Sequence, residues 1–340
     1  MTTTSAMTAK TTKTTDSGRP GPPPWPSGLL IVDKPAGMTS HDVVARVRRL
    51  AHTRRVGHAG TLDPMATGVL VIGIEKATRL LGHLALSEKT YEAVIRLGQS
   101  TTTDDAEGEP VGTIVSAVHL VSGEALNAEI ARLTGDIMQV PSSVSAIKVG
   151  GQRAYKLTRA GQAPELAARP VTVQEFRILG LSGHDDFMDV AACVRCSSGT
   201  YIRALARDLG AALGTGGHLT VLRRTAVGPY TLDQAHTLKE LEDQEPAGVI
   251  PLAAAAAAAF PRLDLTADDA RRLAQGAKLP LPDAHPVQPP AGLPALSSGQ
   301  DGWPSPGAPV AAFDPDGALV ALVTAESGRI RSLAVFDGVS

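Results

Sequence analysis

Between Gly28 and Tyr230 the chain carries more strand patterns than helical ones, and the two do not alternate strictly. Apolar and polar side chains alternate along Tyr91–Leu97, which predicts a strand with one buried face. From Ser40 to Ala51 apolar residues recur at helical spacing, with Ser40 as the expected N-cap. A doubly wound parallel sheet requires strict alternation of strands and helices, so the pattern favours an α+β fold with a mixed sheet. The other strands predicted in this region are Leu29–Val32, Val69–Gly73, Val171–Leu179 and Met188–Val194.

Composition divides the chain into four parts. Residues 1–27 are rich in Thr, Ser, Pro and Gly, which predicts a disordered tail because such a segment buries too little apolar surface to offset its ordering entropy. Residues 28–240 are predicted to form the main α+β domain, and 241–261, with seven consecutive alanines, a linker. Residues 262–340 are predicted to form a small β-rich domain, in which 282–309 is a Pro/Gly-rich insertion without structure of its own.

Cysteine content and hydropathy bear on the compartment. Two cysteines in 340 residues exclude a disulfide scaffold and fit a reducing cytosol. The longest apolar run, 247–260, falls short of the roughly 20 residues that a membrane-spanning helix needs. No N-terminal segment has the apolar stretch of a secretory signal. We therefore expect a soluble cytoplasmic protein.

The net charge of −2 conceals two basic windows that contain no Asp or Glu. The first lies between Val43 and Leu62 and includes Arg54; the second includes Lys148. Clusters of this kind are typical of phosphate contacts, and we name Arg54 and Lys148 as candidate phosphate-binding residues. For either cluster alone, a solvated helix face is the competing explanation.

The segment from Arg55 to Gly68 contains three glycines, and Asp63 stands directly before Pro64. Proline keeps the preceding residue out of the α region, so Asp63 is expected on a rigid, extended loop. A carboxylate on such a loop, among small neighbours, is suited to close contact with a substrate. The alternative is a turn aspartate that bonds its own backbone.

Other catalytic patterns are weak. The chain has neither a G-x-S-x-G nucleophile elbow nor a Walker glycine loop. Cys193 and Cys196 form a single C-x-x-C pair at the end of a predicted strand, where their spacing places the thiols on opposite faces. One pair does not make a tetrahedral zinc site, so we interpret both as packing residues and expect no metal.

Five ordered motifs closely resemble the TruB family of tRNA pseudouridine synthases. They are Gly28–Ser40, Gly57–Leu70, Lys89–Gly98, Cys196–Arg203 and His218–Arg224. The resemblance covers about residues 28–230. It implies a pseudouridine-synthase-like mixed sheet with helices, followed by a PUA-like C-terminal domain. It also implies isomerisation of the TΨC-loop uridine at tRNA position 55, without cofactor, metal or guide RNA, and we expect a monomer.

The resemblance further implies roles for individual residues. Asp63 would be the catalytic aspartate, Tyr91 the tyrosine stacked near the target base, and Arg203 the arginine paired with that aspartate. On the substrate side, His58 would fill the space that the flipped base leaves, Lys34 would be an RNA-side lysine, and Leu222 would form an apolar wall of the pocket. A carboxylate could attack the base, attack the sugar or deprotonate the sugar, and the sequence leaves these routes open.

Two departures from the family pattern concern RNA docking. Ser142 and Val144 replace residues of a motif that often carries an aromatic, and Thr102 replaces an early aspartate while Asp105 is retained. Two other functions compete with the isomerase. A tRNA-folding chaperone would not need Asp63. A hydrolase would need a second carboxylate as acid or base, which no motif supplies.

Overall fold

The structure is a computed structural model that describes residues 23–143, 166–243, 248–281, 287–290, 303–305 and 307–336, with the backbone of 148–149 and 152–153. Most of the predicted tail, residues 1–22, and the side chain of Lys148 lie outside the described residues.

The described helices and strands follow one another as an α+β chain. The α-helices are α1 Ser40–Leu50, α2 Leu81–Leu84, α3 Ala117–Leu120, α4 Gly123–Arg132, α5 Ile202–Ala212, α6 Leu238–Asp243, α7 Leu252–Ala259 and α8 Ala267–Ala274. Two 3₁₀ helices span Glu75–Leu80 and Leu232–Gln234. The strands are β1 Gly28–Lys34, β2 Val56–Ala59, β3 Thr67–Ile74, β4 Lys89–Leu97, β5 Ser100–Thr101, β6 Pro110–Val111, β7 Gly135–Gln139, β8 Lys148–Val149, β9 Gln152–Arg153, β10 Arg169–His184, β11 Phe187–Cys196, β12 Gly217–Val227, β13 Tyr230–Thr231, β14 Ile250–Pro251, β15 Arg262–Asp264, β16 Leu279–Pro280, β17 Val310–Phe313, β18 Leu319–Glu326 and β19 Arg329–Val335.

A large mixed sheet forms the catalytic domain. Its order is β14-β1-β3-β12-β4-β11-β10-β7, with β2 paired to β3 and β13 to β12. Strands β3 and β12 pair in parallel, whereas the neighbouring pairs β1–β3 and β12–β4 are antiparallel. The predicted α+β class with a mixed sheet is confirmed. The alternation predicted for β4 is also confirmed, since Tyr91, Ala93, Ile95 and Leu97 are all buried.

Helix α1 begins one residue earlier than the sequence analysis predicts. The N-cap is Thr39, whose side chain accepts from the Asp42 backbone N–H while the Asp42 carboxylate accepts from the Thr39 backbone N–H. This is a capping box, and it satisfies two donors at the helix start. Ser40, predicted as the cap, is the first helical residue and is buried.

Helix α5 lies against β12 and β4, and its apolar face meets the sheet, with Ile202, Leu205 and Leu209 buried. The close approach needs a glycine, because a Cβ on Gly210 would collide with the backbone at Gly216 and Gly217. Helix α5 is thereby held close to β12 and β4.

The C-terminal domain is a five-stranded sheet of order β15-β17-β18-β19-β16 with helix α8. The N-cap of α8 is Thr266, whose side chain accepts from the Asp269 backbone N–H. The small β-rich domain is confirmed; its likeness to a PUA domain stays a prediction.

The segment assigned to a linker is folded in its described part. Strand β14 pairs with β1, and Ala255 and Ala256 of α7 are fully buried in a cluster that includes Leu29 of β1 and Phe313 of β17. Seven small side chains allow the helix backbone to approach both sheets closely. The sequence composition indicated a spacer, whereas the structure shows a packed joint between the two sheets.

Two tryptophans correct the segments predicted to lack structure. Trp25, in the predicted tail, is buried beside α1, and its backbone N–H donates to the Ala51 carbonyl at 3.1 Å. Trp303, in the predicted insertion, is buried in the core of the C-terminal domain. Each large ring secures its segment to the fold. In the part of the chain that is described, no helix is long and apolar enough to cross a membrane.

Candidate active site

The loop that carries Asp63 connects β2 to β3 and is secured on both sides of the aspartate. The Leu62 backbone N–H donates to Ser40 Oγ at 2.9 Å, and Ser40 Oγ donates to the Leu62 carbonyl at 3.2 Å. On the other side, the Pro64 carbonyl accepts from the Gly37 N–H at 2.8 Å and from Lys34 Nζ at 3.2 Å. The rigid loop expected from the sequence is thus held by helix α1 and by the turn after β1.

Arg203 is the direct partner of Asp63, although 140 positions separate them along the chain. Its Nε lies 3.0 Å from Asp63 Oδ2, and its Nη1 donates to the Thr103 carbonyl at 2.9 Å and lies 3.5 Å from Asp105 Oδ2. The Arg203 side chain is only 4% exposed, whereas that of Asp63 is 39% exposed. The buried guanidinium therefore fixes a carboxylate that still faces open space.

That space is a pocket of about 330 Å³ beside the Asp63–Arg203 pair. Tyr91 and Leu222 also line it, together with Gly199 and Tyr201 from the loop before α5. The volume falls at the small end of ligand clefts, which are roughly 300–1,000 Å³. A single base with its ribose is an occupant of suitable size. The structure therefore brings four of the predicted site residues together: Asp63, Tyr91, Arg203 and Leu222.

Tyr91 is buried, and burial raises the pKa of its hydroxyl above the ordinary value. Opposite Tyr91 in the pairing of β4 with β12 is Arg224, a pocket residue that sequence reasoning gave no role. Arg224 is 1% exposed and donates from Nε to the Val69 carbonyl at 2.8 Å and from Nη2 to the Gly60 carbonyl at 3.0 Å. It thus binds the strand next to Tyr91 to the loop that carries Asp63.

Lys89 is the second pocket residue that sequence reasoning missed. Its Nζ donates to the carbonyls of Ala85 and Ser87 at 2.9 and 2.7 Å. Burial, together with the neighbouring Arg224 charge, lowers its pKa to about 8. Strand alternation could have found both residues, since Lys89 precedes Tyr91 by two positions and Arg224 follows Leu222 by two.

Lys34 does not occupy the place predicted for an RNA-side lysine. It is fully buried, and its Nζ donates to the carbonyls of Pro35, Met38 and Pro64 at 2.9, 2.6 and 3.2 Å. Burial lowers its pKa to about 8, although the nearby Asp63 charge opposes the shift. An ammonium held this way supports the catalytic loop from inside the protein and is turned away from any phosphate.

The remaining predicted residues lie outside the pocket lining. His58 is on β2, where its Nδ1 is buried and its ring centroid lies 5.4 Å from that of His41; burial lowers its pKa. Arg54 is exposed between α1 and β2. Lys148 starts β8, and its side chain lies outside the described residues. The RNA contacts of these residues stay predictions.

Asp105, the aspartate retained from the family pattern, is a second carboxylate close to the catalytic pair. It is buried, accepts from the Glu107 backbone N–H at 3.1 Å and faces Arg203 rather than the pocket. Cys193 and Cys196 are free thiols, the first half-buried and the second buried, so their predicted positions on opposite strand faces are confirmed. Among the described residues no group of His, Cys, Asp and Glu has the arrangement of a metal site.

The mixed sheet and the arginine-held carboxylate in a nucleoside-sized pocket define an enzyme of the pseudouridine synthase class. Comparison with known proteins makes this specific. Residues 48–202 match the N-terminal domain of the TruB family of pseudouridylate synthases, and 203–247 and 304–337 match two C-terminal domains of these enzymes. The chain belongs to the TruB family.

Curated relatives match nearly the whole chain. The tRNA pseudouridine synthase B of Streptomyces coelicolor is 56% identical over 92% of this chain and 97% of its own length. That of Thermobifida fusca is 58% identical over 92% and 99%. Among solved structures, a Cbf5-Nop10-Gar1 complex gives a TM-score of 0.67 at 26% identity, covering 91% of this chain and 85% of the matched one. An H/ACA ribonucleoprotein bound to a substrate RNA containing 2′-deoxyuridine gives 0.64 at 25% identity, with the same coverage.

Proposed function

We propose that this protein converts the TΨC-loop uridine at position 55 of tRNA to pseudouridine, as a cytoplasmic monomer that needs no guide RNA. The observation that carries the proposal is the Asp63–Arg203 pair at the pocket wall, with Tyr91 beside it. The relatives' names supply the tRNA substrate. The low cysteine content supports the cytoplasm.

The reaction is an isomerisation, so every atom is retained. The bond from ribose C1′ to uracil N1 breaks, a bond from C1′ to C5 forms, and the proton lost from C5 is balanced by one gained at N1. The base must detach, rotate and reattach without leaving the enzyme. The pocket, in which the Asp63 carboxylate lies beside the Tyr91 ring and the apolar Leu222 side chain, is suited to hold the base during that rotation.

The residues divide this work. Arg203 orients Asp63, because a charge-assisted hydrogen bond from a buried guanidinium is directional. Asp63 then acts on the base or on the sugar. Tyr91, whose raised pKa keeps the hydroxyl protonated at neutral pH, stacks on the uracil and can relay the C5 proton. Leu222 supplies an apolar wall.

The target uridine lies in a stacked loop, so it must first flip out of the RNA at a cost of a few kcal/mol. Contacts between basic side chains and phosphates are expected to offset this cost. Arg54 and Lys148 are the proposed contributors, and His58 is proposed to fill the space that the base leaves.

The test is to map pseudouridine in tRNA transcripts incubated with the pure protein and no guide RNA. We expect modification at position 55 by the wild type, and a loss of at least about 10³-fold with Asp63→Asn, which keeps the shape but not the charge. RNA affinity should stay within about threefold. Appreciable turnover by Asp63→Asn would contradict the assigned role. Wild-type protein that refolds tRNA but leaves uridine unmodified would favour the chaperone.

A further inference from the structure

Gln139, the last residue of β7, is buried and bonded at both ends of its side-chain amide to one other residue. Its Oε1 accepts from the Tyr201 backbone N–H at 2.8 Å, and its Nε2 donates to the Tyr201 carbonyl at 3.1 Å. Gln139 is 2% exposed. A buried amide is stable only when its hydrogen bonds are satisfied, so this closed pair of bonds strongly favours one position of Tyr201 relative to β7.

Tyr201 is the N-cap residue of α5, directly before the first helical residue. Its backbone is extended, with φ −103° and ψ 110°, and its side chain makes no capping bond to the helix. Its carbonyl also accepts the first bond of the helix, from the Leu205 N–H at 3.1 Å. A carbonyl oxygen has two lone pairs and can accept both bonds. Gln139 therefore fixes the starting point of α5, two residues before Arg203.

A second contact between the same two elements lies one turn further along α5. Arg207 donates from Nη2 to the Val140 carbonyl at 2.7 Å, and its Nη1 lies 3.4 Å from Asp104 Oδ2. The end of β7 is thus bound to α5 both before and after Arg203. The neighbouring loop that carries Asp104 also supplies Asp105, which faces Arg203 from the side away from Asp63.

From these contacts we infer that Gln139 is a positioning residue for the isomerisation. It holds the first turn of α5 so that the Arg203 guanidinium meets Asp63 at the observed 3.0 Å. Gln139 is absent from the pocket lining and acts through Tyr201 and Arg203. The inference rests on the proposed function, because the reaction is the property that the positioning serves.

The experiment measures the single-turnover rate and the RNA dissociation constant separately, with enzyme in excess over a TΨC stem-loop transcript. Gln139→Met keeps the length of the side chain and removes both hydrogen bonds. We expect its rate to fall about 10- to 100-fold, because small misplacement of a catalytic group is costly. The dissociation constant should stay within about threefold. A rate within threefold of the wild type, or a loss expressed entirely in RNA binding, would overturn the inference.

Gln139→Glu adds a second measurement, the pH dependence of the rate, which would not change if Gln139 served stability alone. A glutamate accepts from the Tyr201 N–H in either form, but it donates to the Tyr201 carbonyl only when protonated. The ratio of its rate to the wild-type rate should therefore rise as the pH falls from about 8 to about 6. A constant ratio would count against the positioning role. This variant keeps one of the two bonds and remains informative if Gln139→Met does not fold.

Two control variants separate positioning from stability. Gln174→Met removes a glutamine on β10 that donates to Glu88 Oε1 at 2.8 Å, and Val173→Ala loosens the buried face of β10 beside β7. Both should keep the wild-type rate within about threefold at temperatures well below unfolding. If the wild type itself makes no pseudouridine, the proposed function fails and the inference with it. Wild-type turnover with an unimpaired Gln139→Met overturns the inference alone.

Discussion

At the scale of single residues, the site depends on how one guanidinium is used. Arg203 contacts Asp63, Asp105 and the Thr103 carbonyl in different directions from a nearly inaccessible position. A planar fork with several fixed N–H groups can make all three contacts, whereas an ammonium on a flexible chain acts as a point charge. Asp63 is thereby held on one side and left open to the pocket on the other.

We therefore expect Arg203→Lys to lose at least about 10²-fold in single-turnover rate while RNA affinity changes little. If the pair acts as a unit, Arg203→Lys combined with Asp63→Asn should be hardly slower than Asp63→Asn alone. Single-turnover kinetics on the three variants measures the coupling. Losses that multiply independently would mean that the two residues act separately.

Lys89 leads to a prediction about stability and pH. Its pKa is lowered to about 8 in the folded protein against 10.5 for the ordinary side chain. Between pH 8 and 10.5 the unfolded chain therefore binds more protons, and the free energy of unfolding gains from this group as the pH rises. Lys89→Met should lose about 1 kcal/mol of the increase that the wild type shows between pH 7 and 9.

Denaturant titrations of both proteins at the two pH values provide the measurement. The comparison must be with the wild type, because Lys34 has a similar pKa and contributes to the same window. Above pH 9 the buried Cys196 thiol, with its pKa raised to about 11, acts in the opposite direction. Equal increases in the free energy of unfolding of the two proteins between pH 7 and 9 would show that Lys89 is not buried as a charged group.

At the scale of elements, the start of α1 shows what the sequence could and could not predict. The order Thr39, Ser40, His41, Asp42 fits a capping box that begins at Thr39, so the correct N-cap could have been predicted from the sequence. The hydrogen bonds of Ser40 could not be predicted, because their partner groups on Leu62 are 22 positions away and meet Ser40 only in the fold. Likewise, Gln139 meets Tyr201 only through tertiary structure.

This difference predicts separate effects for two neighbouring substitutions. Thr39→Ala should lower the free energy of unfolding by about 1 kcal/mol and leave the isomerisation rate unchanged, because it removes a helix cap alone. Ser40→Ala should cost about 1–3 kcal/mol by leaving the buried Leu62 N–H and carbonyl without this partner. It should also slow the single-turnover rate about tenfold, since the Asp63 loop loses a support. Equal rates in both variants would contradict the coupling of α1 to the loop.

At the scale of the whole molecule, the two sheets share one apolar cluster. Helix α7 lies between them, and the Tyr230 hydroxyl donates to the Ala255 carbonyl at 2.7 Å. The position of α7 could not be predicted from sequence because an alanine run has no polar face to mark orientation. The conformation of the catalytic loop could be predicted, since Pro64 restricts the backbone of Asp63 locally. How the two sheets join depends on contacts between distant segments.

Charge at the same scale determines which basic residues are available to RNA. Residues 231–340 carry seven Lys and Arg against 14 Asp and Glu, so the C-terminal region is unsuited to strong phosphate binding. In the first basic window, Arg46 is paired with Glu242 of α6, and Arg55 Nη1 lies 3.7 Å from Glu75 Oε2. Arg54 is exposed and forms no ion pair with any of the described residues. Arg54 is therefore available for a phosphate contact.

Arg54→Ala should weaken binding of a TΨC stem-loop and reduce the slope of log affinity against log salt by about one, with the chemical step unchanged. Arg46→Ala is the matched control, because it removes the same charge from the same window at a position already neutralised by Glu242. Titrations at several salt concentrations should show a smaller change in slope for Arg46→Ala. If the two variants lose the same slope, the window acts through its total charge. If neither changes it, the window is a solvated face and the phosphate contacts lie elsewhere on the molecule.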